Sequence, residues 1–105
     1  MTYDIYVTES FEKEVEKLSP SDKKALKKMF SQLKENPYVG DAIRFKFFRE
    51  KRLREKRIYY LIYDNFLVVL LVAFGGKKTQ QETIDEILKL LPEYKRYIEE
   101  LLKKN

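Results

Sequence analysis

Two adjacent stretches decide the fold of this chain: Arg57–Tyr63, RIYYLIY, and Phe66–Phe74, FLVVLLVAF. Both are rich in aromatic and β-branched residues, and Asp64-Asn65 between them is a turn signal. Together they predict a β-hairpin. The second stretch is apolar at every position, which is typical of a central strand covered on both faces. The sequence therefore predicts a domain organised around a sheet.

The segments before this hairpin predict one strand and two helices. Thr2–Val7 alternates polar and apolar residues, as a half-buried strand does. Thr8 or Ser10 suits the N-cap of a helix, and Ser19-Pro20 suits the start of a second helix. Asn36-Pro37 ends that helix. We therefore expect an α-hairpin after the first strand.

The other segments complete the predicted order of elements. Ala42–Arg49 alternates and predicts a strand, and Lys51–Arg54 either extends that strand or turns into the next. Thr79 and Glu82 form a capping-box pattern, and a last amphipathic helix is expected over Glu93–Lys103. The order β-α-α-β-β-β-α-α predicts an α+β domain with a mainly antiparallel sheet of about four strands.

Composition limits the classes of function. The chain has 105 residues, enough for one domain, with 22 Lys and Arg against 17 Asp and Glu. The net charge of +5 favours nucleic acid, an anionic membrane or an acidic protein as partner. There is no Cys and no His, so we predict no metal site and no thiol or imidazole catalysis. Any catalysis would use Lys, Arg, Tyr, Glu or Asp.

The N-terminal sequence lacks the pattern of a signal peptide, and the longest apolar run is too short to span a bilayer. These features predict a cytoplasmic protein without a membrane partner. Abundant Lys and Glu with no Cys favours a thermophilic source.

The densest basic stretch is Arg44–Arg57, which falls on the predicted strands. If these strands pair in sequence, alternation can bring its cations and a tyrosine together on the sheet, and the other residues would seat the helices. Such a strip suits RNA, because arginine forks bind phosphate and tyrosine rings stack on bases. The alternative is a solvated outer face whose charges prevent aggregation. This predicted basic strip consists of Arg44, Lys46, Arg52, Arg54, Arg57 and Tyr59.

A second basic segment, Gly75-Gly76-Lys77-Lys78, ends the apolar strand. Its backbone can approach an anion closely, and the helix expected after Thr79 begins with free N–H groups. The spacing of a nucleotide-hydrolase phosphate loop is absent. The two glycines are also simply the turn that leaves the strand, and the two interpretations are compatible.

The segments Lys56–Asp64 (KRIYYLIYD) and Val68–Lys78 (VVLLVAFGGKK) resemble the RelE/ParE toxin superfamily. That family commonly has an Arg before a tyrosine-containing strand, a turn, an apolar strand and a basic residue at its end. The element order and Asn36-Pro37 match as well, and Phe74–Gln80 is similar to the HigB-type branch. The resemblance covers roughly residues 2–91. It implies a single toxin domain over 1–105, with an extra C-terminal helix at 92–105.

The resemblance implies a toxin of a type II toxin–antitoxin system that cuts messenger RNA on the ribosome, an mRNA interferase. It implies attack by the ribose 2′-OH on the adjacent phosphate, without metal or cofactor. Arg57 and Lys77 match phosphate-contacting positions of the family, with Arg52 and Arg54 helping to hold the phosphate. The further residues expected to bind RNA are Arg44, Lys46, Tyr59 and Lys78.

The group that accepts the 2′-OH proton is not evident from the sequence. Several family members place a Tyr or His in or near the last helix, where this chain has the segment Gln81-Glu82-Thr83. The candidates are Glu50, Glu55 or a lysine next to other cations.

Two other functions fit the same resemblance. One is a ParE-like poison of a topoisomerase, and the other is a non-catalytic binding protein on the RelE fold. A toxin implies an acidic antitoxin as partner, with messenger RNA on the ribosome as target. A homodimer or a toxin–antitoxin heterotetramer is compatible with the sequence.

Overall fold

The computed structural model describes residues 2–103 of the chain. These residues form an α+β fold with one five-stranded sheet in the order β1-β5-β4-β3-β2. Short 3-10 turns lie at Pro37–Val39 and Asp64–Phe66. The strands and α-helices are β1 Asp4–Val7, α1 Glu9–Glu16, α2 Pro20–Glu35, β2 Asp41–Ile43, β3 Phe45–Leu53, β4 Lys56–Tyr63, β5 Val68–Gly75, α3 Gln80–Lys89 and α4 Leu91–Lys103.

The predicted central hairpin is confirmed as β4 and β5, which pair antiparallel from Arg57 opposite Gly75 to Tyr63 opposite Val68. The connection is a 3-10 turn followed by Leu67 in the left-handed region, at φ 54°. On its other side β5 pairs in parallel with β1. The sheet has one strand more than the four expected, because the predicted strand Ala42–Arg49 is divided into β2 and β3.

The predicted strand Ala42–Arg49 is divided in the structure. Arg44 adopts a left-handed conformation, at φ 60°, between β2 and β3, which pair antiparallel. The basic segment after it extends β3 to Leu53, which pairs with Lys56 across the turn Arg54-Glu55. A left-handed conformation is unfavourable for a residue with a side chain, so the sequence pattern gave no sign of this break.

Helices cover both faces of the sheet. The helices α1 and α2 pack on one face, hereafter the α-hairpin face, and α3 and α4 pack on the other, hereafter the C-terminal face. Alternation along β4 divides its residues between them: Ile58, Tyr60 and Ile62 join the first core and Tyr59 and Leu61 the second. The expectation that the apolar strand is covered on both faces is therefore confirmed. The face of Arg57 and Tyr59, expected to carry an open basic strip, is covered by α3 and α4 at Tyr59.

Two of the predicted helix caps are confirmed. The Thr8 and Ser19 hydroxyls accept hydrogen bonds from the first turns of α1 and α2. The capping box at Thr79 is wrong. Its hydroxyl makes no cap hydrogen bond and instead accepts from the Gly76 N–H at 3.3 Å. Thr79 therefore shapes the loop before α3 rather than its first turn.

Tyr60 ties the loop after α2 to the sheet. Its hydroxyl donates to the Pro37 carbonyl at 2.6 Å and accepts from the Gly40 N–H at 3.1 Å, both in buried surroundings. A Cβ atom at Gly40 would lie 2.5 Å from this hydroxyl and 2.6 Å from the Glu50 carbonyl oxygen, so the loop can approach only through a glycine.

We predict that Tyr60→Phe lowers the free energy of unfolding by about 1–3 kcal/mol, because it leaves a buried N–H and a buried carbonyl without a partner. The matched control is Tyr59→Phe, which removes a buried hydroxyl that has no hydrogen-bond partner among the described residues. We expect this control to change stability by less than about 0.5 kcal/mol or to raise it. Urea denaturation measures both variants, and equal losses would contradict the assignment.

Asp64 joins three segments at one end of the sheet. Its carboxylate accepts hydrogen bonds from Tyr38, in the loop after α2, and from Tyr3, just before β1. Both hydrogen bonds lower the pKa of Asp64, and the bond from Tyr38 has the larger effect. The positive charge of the nearby Lys46 lowers this pKa further. Burial, and then Asp64 itself, raise the pKa of Tyr38 to about 12.

We predict that this link weakens in acid. A carboxyl group with a lowered pKa stabilises the fold fully above its ordinary pKa of about 4, and this contribution disappears as the pH falls through the lowered value. Wild type should therefore exceed Asp64→Asn in stability near neutral pH, with a difference that narrows below about pH 4. Thermal unfolding across pH measures this, with Asp4→Asn, an exposed carboxylate of β1, as control. A difference that does not depend on pH would rule out the link.

Candidate nucleic-acid interface

Glu50 on β3 and Arg57 on β4 form an ion pair on the C-terminal face of the sheet. The Arg57 Nη1 atom lies 3.3 Å from Glu50 Oε2, and Gln80 Nε2 donates to Glu50 Oε1 at 3.0 Å. Glu50 is 9% exposed, whereas the Arg57 side chain is 23% exposed. The carboxylate is thus held from two sides, and the guanidinium retains N–H groups that can reach a ligand.

Strand register places a second arginine beside the first. Arg52 lies directly opposite Arg57 in the β3–β4 pair, and direct partners project from the same face. On its other side Arg57 is opposite Gly75, the last residue of β5. We call Arg52 and Arg57 the arginine pair. It lies at the end of the C-terminal face, where α3 begins at Gln80.

The loop from β5 to α3 brings two lysines to the same end of the sheet. Lys77 and Lys78 are exposed and follow Gly75, the strand partner of Arg57, by two and three residues. A Cβ atom at Gly75 would lie 2.8 Å from the Tyr59 ring, so a glycine lets the end of β5 lie this close to the ring. The arrangement is cationic around a single buried carboxylate, and such a distribution of charge favours an anionic ligand.

Tyr59 is not available to stack on a base, which corrects the prediction that it binds RNA. Its side chain is completely buried, and its hydroxyl has no hydrogen-bond partner among the described residues. Burial, and then the neighbouring Glu50 carboxylate, raise the pKa of Tyr59. Alternation assigned Tyr59 correctly to the face of Arg57, but α3 and α4 cover that face beyond the arginine pair.

Arg54 is not brought to the arginine pair. It lies in the turn after β3, at φ 58°, with its Nε atom 3.3 Å from Asp22 Oδ1 on α2. Lys56 Nζ lies 3.9 Å from the other oxygen of the same carboxylate. Because α2 lies on the α-hairpin face, this contact directs Arg54 away from Arg57. Arg54 was expected to help hold the phosphate together with Arg52, but it is the first residue of the β3–β4 turn and does not continue the alternation of β3.

Arg44 and Lys46 also lie apart from the arginine pair. Arg44 is an exposed residue at the break between β2 and β3. Lys46 Nζ lies 5.4 Å from the centroid of the Tyr38 ring, and Arg49 Cζ lies 5.0 Å from the same centroid. These are cation–π contacts in the loop that packs on the α-hairpin face. The continuous basic strip predicted from alternation is therefore wrong, because the chain breaks at Arg44.

The structure adds Gln80 to the site and separates the two candidate carboxylates. Glu55 is exposed in the β3–β4 turn, whereas Glu50 contacts Arg57 directly. The sequence gave no signal for Gln80, because its contact depends on where α3 meets the sheet.

Among residues 2–103, no group of three or more acidic, His or Cys side chains is arranged to hold a metal ion. Within the same range no helix is long and apolar enough to cross a membrane.

No protein-family model and no curated protein sequence matches the chain significantly. Solved structures do. A double arginine-to-alanine variant of E. coli toxin RelE in the free state has a TM-score of 0.68 and 23% identity, over 83% of this chain and 99% of that one. A chain of the archaeal RelE–RelB complex from Pyrococcus horikoshii has a TM-score of 0.63 and 17% identity, over 73% and 97%.

A third similar structure is the toxin–antitoxin complex RelBE2 from Mycobacterium tuberculosis. One of its chains has a TM-score of 0.65 and 22% identity, over 73% of this chain and 100% of that one. The alignments span nearly the whole of each similar chain. The sheet with its N-terminal α-hairpin and C-terminal helices is the RelE toxin fold, and this chain has that fold.

Proposed function

We propose that the chain is a toxin of a toxin–antitoxin system that cleaves messenger RNA on the ribosome. The observation that carries the proposal is the arginine pair around the buried Glu50 carboxylate, at the open end of the C-terminal face. The RelE fold supports it, since the similar structures include a RelE toxin and a toxin–antitoxin complex. Because proteins of one fold differ in function, the charged groups of this site carry the proposed chemistry.

The proposed reaction is attack by a ribose 2′-OH on the adjacent phosphorus. The 2′-O–P bond forms, the P–O5′ bond breaks, and the products are a 2′,3′-cyclic phosphate and a 5′-OH end. Negative charge builds on the non-bridging oxygens in the transition state. Arg57 and Lys77 would stabilise that charge, and Arg52 would hold the phosphate from the neighbouring strand. Lys78 would contact the flanking backbone.

Glu50 is assigned to positioning Arg57 rather than to accepting the 2′-OH proton. One of its oxygens lies beside Arg57 and the other accepts from Gln80, so both are engaged before RNA binds. The buried carboxylate limits the orientations of the guanidinium, and an oriented guanidinium loses less entropy when it binds phosphate. Lys78 remains as a candidate proton acceptor, because its loop follows the strand partner of Arg57, whereas Lys77 must keep its own proton to stabilise the charge.

The proposal includes an acidic antitoxin as protein partner. One similar structure is a complex of RelE with RelB, and another is a toxin–antitoxin complex. A net charge of +5 favours an acidic partner. An antitoxin bound over the arginine pair would exclude the RNA phosphate from it.

We predict that Arg57→Ala and Lys77→Ala each reduce message cleavage by about 100-fold or more, because each removes a cation from the developing charge. The matched control is Arg54→Ala, which removes an arginine whose Nε atom lies 3.3 Å from Asp22 on the opposite face. It should cleave as wild type does. Inducible expression, with growth and the 5′ ends of a translated message mapped together, measures all three variants.

The same experiment separates the alternatives. Growth arrest with intact messages and damaged DNA would replace the proposal with a topoisomerase poison. Growth arrest that persists in Arg57→Ala without cleavage would indicate a non-catalytic binding protein. Loss of cleavage in Arg54→Ala as severe as in Arg57→Ala would show that Arg54 also contacts the reacting phosphate.

A second prediction tests the role of Glu50. If it positions Arg57, cleavage should fall in the order wild type, Glu50→Gln, Glu50→Ala, since the amide oxygen of Gln still accepts from a guanidinium. The pH profile of single-turnover cleavage should keep its shape in both variants. A general base would behave differently: both variants would lose about 100-fold or more, and the acidic limb of the profile would disappear. Gln80→Ala, which leaves the ion pair in place, is the control.

A further inference from the structure

Three of the seven phenylalanines of the chain are exposed, and they lie at the end of the sheet opposite the arginine pair. Phe45 and Phe47 stack on each other, with ring centroids 5.1 Å apart and ring planes inclined by 9°. Phe47 and Phe66 line one cleft of about 680 Å³. Folding normally buries phenylalanine, so exposed rings gathered around a cleft indicate a binding surface.

We call this cavity the aromatic cleft. Besides the two rings it is lined by Tyr63 at the end of β4, by Asn65 in the turn after it, and by Lys95 and Glu99 on α4. Six residues of β4 separate Arg57 from Tyr63, which corresponds to about 20 Å along the strand. The aromatic cleft is therefore distinct from the site proposed to cleave RNA.

The aromatic cleft exists because β3 leaves β4 before β4 ends. The pairing of the two strands stops at Phe48 opposite Leu61, whereas β4 continues to Tyr63. The segment before Phe48 is held instead by Arg49, whose Nε atom donates to the Lys46 carbonyl at 2.9 Å. A side-chain contact thus replaces strand pairing, and the gap between the two strands is open to a ligand.

We propose that the aromatic cleft binds one unpaired nucleotide, with its base on the Phe47 and Phe66 rings and its phosphate at Lys95. An aromatic ring offers a base a flat surface, and such stacking accepts any base because every base has a π-face. The stack with Phe45 restrains the ring of Phe47, so less side-chain freedom is lost when a base packs on it. The ligand chemistry is the same for a free nucleotide and for a nucleotide within single-stranded RNA.

The polar groups of the aromatic cleft suit the rest of a nucleotide. Lys95 forms no ion pair with another of residues 2–103, so its charge is available to a phosphate. Asn65 and Glu99 supply hydrogen-bond donors and acceptors for the polar edge of a base. Asp64, the other carboxylate of the cleft, is already engaged by two tyrosine hydroxyls.

The volume and the composition of the cleft favour a nucleotide over other ligands. A stable protein interface buries about 800 Å² on each partner, whereas a cleft of about 680 Å³ encloses a single small molecule. A lipid surface requires a projecting apolar face beside cations, and these rings instead line a concavity with a carboxylate at its rim. A purely apolar ligand would make no use of Lys95.

The test is an NMR titration of the full chain with adenosine, AMP and an oligoadenylate of about six nucleotides, followed through backbone amide shifts. Phe47→Leu and Phe66→Leu keep apolar volume but remove the flat ring, and Lys95→Gln removes the charge. The matched controls are Tyr97→Leu, an exposed aromatic residue of α4, and Lys89→Gln, an exposed lysine at the end of α3. Circular dichroism checks that every variant folds.

We expect AMP and the oligonucleotide to shift the amides of Phe47, Phe66 and Lys95. Each Leu variant should bind about 5- to 100-fold more weakly, which is the loss expected for one stacked base. Lys95→Gln should abolish the preference for AMP over adenosine, because the phosphate is what distinguishes the two ligands. Both controls should bind as wild type does.

The affinities identify the source of the nucleotide. Binding of the oligonucleotide that is about tenfold or more tighter than that of AMP, with shifts at the same residues, supports a nucleotide of single-stranded RNA. Equal affinities support a free nucleotide.

Binding of AMP by Phe47→Leu as tight as by wild type would overturn the proposal, because the cleft would then accept any apolar group. So would shifts that are absent from the cleft or confined to the arginine pair and Lys77-Lys78. Cleft shifts caused by phospholipid micelles or by raised protein concentration, but not by nucleotide, would identify a lipid or a second copy of the chain and also overturn it.

These results are independent of the proposed cleavage. Arg57→Ala, which removes a cation from the proposed reaction, should leave the AMP-induced shifts of the cleft unchanged. A chain that leaves translated messages intact but binds AMP in the cleft would refute the nuclease alone, and a chain that cleaves messages without binding a nucleotide there would refute the cleft alone.

Discussion

The burial of β5 on both faces is the constraint on which the rest of this structure depends. Its residues Val68 to Leu71 are fully buried, and each such side chain contributes about 1.5–3 kcal/mol when removed from water. Four adjacent residues that alternate between faces cannot be covered by one layer of helices. The chain therefore places its α-hairpin on one side and α3 and α4 on the other, with β1 along the edge of β5. The position of the candidate site follows from this cover.

Covering both faces leaves little sheet surface for a ligand. The exposed part of the C-terminal face is its end, where α3 begins and where Arg52, Arg57 and the end of β5 come together in register. Glu50 lies where that exposed surface meets the buried core. Its carboxylate would be destabilised by burial, but Gln80 and Arg57 contact its two oxygens. The same contacts orient the guanidinium. The position of the charged side chains thus follows from the way α3 and α4 cover the C-terminal face.

The distribution of charge has a related physical origin. Carboxylates neutralise the lysines of α1 and the turn residues Arg54 and Lys56. Glu50 likewise pairs with Arg57, whereas Arg52, Lys77 and Lys78 form no ion pair with another of the described residues. The cations in excess therefore collect at the end of the C-terminal face.

The sequence by itself determined the order of the elements, the β4–β5 hairpin, two helix caps and the assignment of Arg57 and Tyr59 to one face. These features depend on local patterns of apolar and polar residues with a period of 2 or 3.6 residues, and such patterns are visible in the amino-acid sequence. Tertiary structure decided the parallel pairing of β1 with β5, the burial of Tyr59, the diversion of Arg54 to Asp22 and the contact of Gln80 with Glu50. Each of these depends on which segment covers another, or on a left-handed residue such as Arg44 that redirects the chain. Contacts between segments distant in the sequence have no period, so only the folded arrangement specifies them.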